Sequence, residues 1–294
     1  MEVGLALPTM ARGYDRSTTV GWCRGIDAGP FSSVSCGERI TYHNQEVLVT
    51  NAAAAALTER VRVFVNLVVG PLHRTAVLAK QLATLDVLAG GRLTVGLGVG
   101  GREDDYRAAE SPFTRRHARL DEQVADLRRC WSGEPPAEQS SAVGPAPVQP
   151  GGPPLLAGAM GPKALARATA WAEGVSGFSL GADADEMRRA NEAATRAWTD
   201  AGRTEPPRLV SGCFFVLGVE DPQAVLTRFT YDYLAVFGDR FARPMSEAVA
   251  VSSPERLRQA VHDGEAAGCD ELILVPGTTD PRCLEAASEV VASL

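Results

Sequence analysis

Two adjacent charged residues, Glu38 and Arg39, follow an apolar run in the segment SCGERITYHNQE. A glutamate there can act as general acid or base if burial raises its pKa. Arginine exchanges no proton near neutral pH, so Arg39 reads as an anion clamp. His43, four residues beyond Arg39, can swing an imidazole into the same pocket. A purely structural ion pair from Glu38 or Arg39 to a neighbour fits the same residues. Asn66 is the anomalous polar residue in the apolar run FVNLVV. Its amide needs partners, either a ligand or an adjacent strand.

Glycines mark a second group. Gly96, Gly98, Gly100 and Gly101 leave the backbone open to a flat ring or a phosphate. They are not a dinucleotide fingerprint, because Glu103-Asp104-Asp105 follow where a helix would open on glycines. In AGAMGPKALARATAW, small residues turn the chain and Pro162 suits the first turn of a helix. Free N–H groups of Gly158, Ala159, Met160 and Gly161, with Lys163 beside them, can hold a phosphate. An ordinary turn with a solvated lysine is the plainer alternative. Of the other histidines, His73 either faces the site's rim or starts a helix, and His117 and His262 fall in helical surface segments.

These residues need a frame. Short β-rich runs alternate with helical stretches throughout, which predicts a parallel sheet. Strands are expected at Val3–Leu7, Phe31–Ser35, Val61–Val69, Arg92–Gly98, Pro154–Gly158, Gly174–Phe178, Arg208–Gly218 and Glu271–Val275. Several runs are apolar on both alternating faces, as when helices cover one side and a barrel interior fills the other. Eight strands suggest closure into a (β/α)8 TIM barrel. Ala76–Leu88 reads as a helix stopped by Gly90-Gly91. The Pro-, Gly- and Ser-rich segment 132–154 reads as a long surface loop returning the chain to the fifth strand, with a linker between two domains as the competing reading. Residues 1–294 are expected to form one domain.

Composition narrows the function classes. A formal net charge of −7 argues against a nucleic-acid footprint, and the longest basic cluster, Arg115-Arg116 with Arg119, reads as a solvated helix start. The six cysteines are scattered, with no CxxC pair and no histidine at metal-ligand spacing, which fits a reduced cytoplasmic protein without a metal. The N-terminal MEVGLALPTM reads as a buried strand rather than a signal peptide, and no apolar run reaches the roughly 20 residues that span a bilayer.

The stretch from Gly70 to Glu134 resembles the bacterial luciferase-like monooxygenase family, which includes deazaflavin (F420)-dependent reductases. The likeness is carried by Ala79-Lys80, Ala83-Thr84-Leu85-Asp86, Gly91-Arg92, Gly96, Gly98, Gly100, Arg119, Glu122 and Trp131. Weaker likeness extends to Gly4–Pro8, to Ala52–Ala56 with Thr58-Glu59-Arg60, and to Cys269-Asp270-Glu271-Leu272. The resemblance implies a luciferase-like barrel with a flavin-type cofactor at the C-terminal ends of its strands. It also implies a non-prolyl cis peptide under the ring, at Leu67-Val68 or Val68-Val69, in a bulge formed by Asn66, Leu67, Val68 and Val69. Gly98 and Gly100 would lie beside the ring, and the Gly158–Lys163 turn would hold the cofactor phosphate.

Many relatives carry an acid-histidine pair where this chain has Glu38-Arg39, so Arg39 would stabilise a reduced, anionic ring and His43 would replace the missing imidazole. Relatives that use FMN often carry an arginine at the place of Val99, and its absence favours F420 over FMN. The resulting expectation is an oxidoreductase acting on a small organic substrate, as a homodimer pairing through helices beside the early strands. With FMN, monooxygenation becomes available. A barrel lyase or isomerase acting on a phosphorylated metabolite, and a non-catalytic flavin-binding relative, are the rivals.

Overall fold

In a computed structural model describing residues 1–294, eight parallel strands close into a barrel in sequence order. They are β1 (Glu2–Ala6), β2 (Ser33–Cys36), β3 (Arg62–Val69), β4 (Leu93–Gly98), β5 (Leu155–Gly158), β6 (Gly174–Ser176), β7 (Arg208–Phe215) and β8 (Glu271–Pro276). The helices are α1 (Arg16–Ala28), α2 (Val47–Leu57), α3 (Thr75–Leu88), α4 (Glu103–Ala108), α5 (Arg116–Trp131), α6 (Pro162–Ala168), α7 (Ala184–Asp200), α8 (Pro222–Leu234), α9 (Asp239–Ala248), α10 (Pro254–Ala266) and α11 (Pro281–Ala292).

Every expected strand is present, with altered ends. β6 stops at Ser176, two residues early, which frees Phe178 to lie over Gly212 of β7. β2 begins at Ser33, because Phe31 is buried outside the sheet.

Strand alternation separates two apolar layers. Ala6, Phe64, Leu156, Val210 and Ile273 fill the barrel interior. A larger cluster, including Val34, Val63, Val65, Leu97 and Leu274, lies between barrel and helices. The N-terminal end is closed by charge. Glu271, 1% exposed, accepts from Ser32 and Ser33 at 2.7 and 2.6 Å and pairs with Arg62 and Arg208 at 2.9 and 2.8 Å. Glu2 binds the same two arginines from the solvent side, at 2.7 and 2.8 Å.

The loop at 132–154 contains no helix or strand and is tied to the N-terminal side of the barrel. Gln149 donates its backbone N–H and its side-chain amide to the buried Asp86 carboxylate at 2.9 and 2.8 Å, and Lys80 donates to Gly144 O at 2.6 Å. Gly152 has φ +101°, and a Cβ there would lie 2.2 Å from the Trp131 ring, so glycine is required.

The residues that carried the family resemblance are therefore mostly pins. Arg92 donates to the carbonyls of Ala55, Thr58 and Val61, and Trp131 donates to Ala79 O. Arg119 departs from its expected solvated role, because it binds Pro71 O at 2.7 Å and Ser111 Oγ at 2.8 Å. Arg116 lies over the Phe113 ring at 3.9 Å. All six cysteines are free and buried, and burial raises each thiol's pKa, to about 12 for Cys23, Cys213 and Cys283.

Candidate functional site at the barrel mouth

The C-terminal ends of β2 and β3 form one corner of the mouth. Glu38 turns away from it. Its Oε2 accepts the Val69 N–H at 2.7 Å and its Oε1 meets His73 Nε2 at 2.8 Å, with the carboxylate 2% exposed. Both oxygens are committed, so Glu38 joins the two strand ends rather than offering a free acid to the mouth. Burial lowers the His73 pKa, but the hydrogen bond and charge of Glu38 outweigh it, and the net shift is upward. The imidazole is thus stabilised as the cation. Its contribution to stability is complete below the ordinary value of 6.5 and fades as pH rises through the folded value. A histidine NMR titration is expected to place His73 above 6.5, and Glu38→Gln to lower it, because burial is then opposed only by the charge of Glu46.

Arg39 is 6% exposed and makes no hydrogen bond or ion pair. Its guanidinium lies between the rings of Tyr42 and Tyr233, 4.2 and 4.3 Å from their centroids. Cation–π contact with both rings, which stand edge to face 6.4 Å apart, holds the group in a corner and leaves its N–H donors without hydrogen-bond partners. Arg39 NH1 and the Tyr42 hydroxyl are buried without partners. Burial, then the charge of Asp232, pushes the Tyr42 phenol to about 12, so it stays protonated and able to donate. His43 is exposed at the rim, stacked on Tyr42 at 4.1 Å with Nε2 3.0 Å from Met10 O, so its ring is engaged outside the corner it was expected to enter.

On β3 the register shifts between Val65 and Val68, and the Asn66-Leu67 peptide is cis. The bulge expected at this strand end is present, with the cis bond earlier than Leu67-Val68. Asn66 Oδ1 accepts from Ser176 Oγ of β6 at 2.8 Å, across the barrel. Leu67 is half-buried at the mouth floor. The side chains of Val68 and Val69 are buried, Val68 in the layer under the helices and Val69 against Gly100, which leaves their backbone rather than their side chains at the mouth.

The glycines also differ from expectation. A Cβ at Gly96, Gly98 or Gly158 would meet Leu67 at 3.1, 3.0 and 2.3 Å, so the missing side chains make room for Leu67 first.

After β5, Ala159 is half-buried and Met160, Gly161 and Lys163 are exposed, and Lys163 has no ion pair. Beside this turn opens a cavity of about 740 Å³, bounded by Pro162, Leu165, Phe178, Met187 and Ala193 between α6 and α7. Arg39 lies outside it, across the barrel. Sequence reasoning missed Tyr233, Ser176 and the pairing of His73 with Glu38. The spacing of Phe229 and Tyr233, four residues apart on one helix face, was the only local signal for the first.

A closed eight-stranded barrel with polar side chains gathered where its strands end is the architecture of a large class of enzymes. The luciferase-like monooxygenase pattern matches residues 1–267, and the chain belongs to that family. An uncharacterised protein of Mycobacterium tuberculosis is 32% identical over 171 residues, 55% of this chain and 57% of the relative. The chain thus spans about half the length of the curated relatives it matches. The F420-dependent tetrahydromethanopterin reductase of Methanopyrus kandleri superposes with a TM-score of 0.74 at 16% identity, covering 99% of this chain and 98% of that one. The oxygenating constituent of 3,6-diketocamphane monooxygenase of Pseudomonas putida, solved with FMN, gives 0.74 at 17% identity, covering 100% and 98%.

Proposed function

We propose that this protein is an oxidoreductase that binds a flavin-type cofactor at its mouth, F420 with FMN as the alternative, and acts on a small organic substrate. The observation that carries this reading is the floor of the mouth. There the shifted register of β3 presents Leu67 as a half-open apolar seat, with the Asn66 amide beside it. A planar ring needs an apolar face beneath it and polar partners at its edge, and these residues fit that requirement. Leu67 would carry the ring, seated by Gly98 and Gly158, and the backbone of Asn66–Val69 with Gly100 would border it. When bound, the cofactor supplies hydride transfer to or from the substrate. The chain supplies orientation and exclusion of water.

The likeness to an F420-dependent reductase and to a monooxygenase constituent solved with FMN supports a flavin-type cofactor. Val99, where relatives that use FMN often carry arginine, and the Gly161-Pro162-Lys163 turn favour F420. Ala159, Met160, Gly161 and Lys163 would hold its phosphate from the exposed turn after β5. Purified protein titrated separately with FMN and F420, followed by fluorescence and visible absorbance, tests the reading. Binding of one below about 100 μM, roughly 5.5 kcal/mol, is expected, and binding of neither ends it. Lys163→Ala is expected to weaken the bound cofactor by about 1 kcal/mol, the scale of an exposed charge contact. Unchanged affinity would remove Lys163 from the site.

Exposed apolar side chains on neighbouring helices, Val49 on α2 and Val77 on α3, support a homodimer formed through that face, which sedimentation at twice the chain mass checks. No helix is long and apolar enough to cross a membrane. Six free thiols support a reducing, cytoplasmic location.

A further inference from the structure

We infer that the mouth takes substrates bearing a carboxylate, anchored by Arg39, with the rest of the molecule lying against the Phe178 and Tyr233 rings. The inference rests on the oxidoreductase reading of the mouth and names the substrate class for it.

Three observations point this way. First, Arg39 is a charged side chain more than nine-tenths buried that makes no hydrogen bond or ion pair. Buried charges are otherwise paired. Contact with the edge-to-face rings of Tyr42 and Tyr233 holds the group in place, with NH1 buried and unpartnered.

Second, the acids around it are engaged by other groups. Asp105 accepts from Thr41 at 2.7 and 2.6 Å and lies 3.2 Å from Arg102. Asp232 pairs with Arg12 at 3.6 Å, and Glu38 is held by Val69 and His73. Arg39 therefore keeps no direct ion-pair partner, and the buried, unpaired Tyr42 hydroxyl adds a neutral donor beside it.

Third, the surroundings select the anion. A planar fork of N–H donors matches a carboxylate in two parallel bonds. A single cation without an ion-pair partner suits a monoanion better than a phosphate dianion. The turn assigned to the cofactor phosphate follows β5, three strands round the ring from β2, so the group at Arg39 belongs to the substrate. Tyr233 packs on the buried Phe214 at 5.2 Å and Phe214 on Phe178 at 4.7 Å, so two partly exposed rings, Tyr233 and Phe178, are backed by one core ring beside the guanidinium. A planar or aromatic body fits against those two rings.

The test is calorimetric titration of the full chain with benzoate, benzamide and phenyl phosphate, each with and without FMN or F420. Benzoate is expected to bind at least tenfold tighter than benzamide. Arg39→Gln should abolish that difference while leaving cofactor affinity within twofold, and Arg39→Lys should restore only part of it, since an ammonium lacks the planar fork. Equal binding of benzoate and benzamide to the wild-type protein overturns the proposal, and that comparison stands even if Arg39→Gln fails to fold. Tighter binding of phenyl phosphate overturns the carboxylate assignment. Loss of cofactor and benzoate together in Arg39→Gln also overturns it, by assigning the anion to the cofactor. A protein that prefers benzoate through Arg39 yet binds neither cofactor supports the anchor while ending the oxidoreductase reading, so the two failures are distinct.

Discussion

Replacing Glu271 by glutamine is expected to lower stability by about 3 kcal/mol, because it leaves two guanidinium groups at the closed end of the barrel with one half-exposed partner. In the native protein the Glu271 carboxylate accepts from Ser32 and Ser33 on one oxygen and meets Arg62 and Arg208 on the other. Glutamine keeps one acceptor and turns an NH2 towards donors, so repulsion replaces attraction. A loss of this size corresponds to a drop of roughly 6–10 °C in Tm for a chain of this length, measured by thermal melting. A change below about 2 °C would show that Glu2 alone can hold both arginines.

The same cluster gives an acid limb to the stability curve. Hydrogen bonding to Arg62 holds the Glu2 pKa below its ordinary 4.5 against the opposing effect of burial, with Arg208 adding to it. The folded value is the lower one. Its contribution is therefore present above 4.5 and is lost as pH falls through the folded value. Because Glu2 is 45% exposed, that loss is small beside the effect of Glu271→Gln.

At the opposite end, Gly37→Ala is expected to cost about 1–3 kcal/mol and to weaken cofactor binding at least tenfold. A Cβ on Gly37 would lie 2.5 Å from Asn66 O, a backbone atom at the start of the mouth floor. The neighbouring strand end must move, and Leu67 moves with it. Gly158→Ala provides the comparison, since its added methyl meets only the Cδ2 end of Leu67, which can rotate. Melting and FMN or F420 titration of both variants check the pair. The expectation fails if Gly37→Ala binds cofactor as tightly as the wild type.

Alternation of β-rich and helical runs made the barrel legible, because each strand is bounded by turn residues and buried on both faces. Strand ends were less legible. β6 ends early so that Phe178 can cover Gly212, a contact between residues 34 positions apart. The mouth was legible by location: Glu38, Arg39 and Asn66 all lie at strand ends. Their roles were not, because those depend on partners distant in sequence, with His73 claiming Glu38, Ser176 claiming Asn66, and Tyr233 stacking on Arg39. Glycine at positions 96 and 98 suggested a backbone open to a ring, whereas the space beside it is taken by Leu67 of the neighbouring strand. The residues most diagnostic of the family, such as Asp86, Arg92 and Trp131, hold loops and helix ends in place, so resemblance located the site without describing it.

The six buried thiols give the molecule a built-in clock. Thiolates, not thiols, react with disulfide reagents, and each of these groups is both hidden and held protonated at neutral pH. Modification by such a reagent should then follow the opening of the molecule rather than the chemistry of any single sulfur. Cys23 in α1 lies close to Cys36 in β2, while Cys213 is in β7 and Cys283 in α11. Their labelling order, read by mass spectrometry, would report which strand and helix pairs part first.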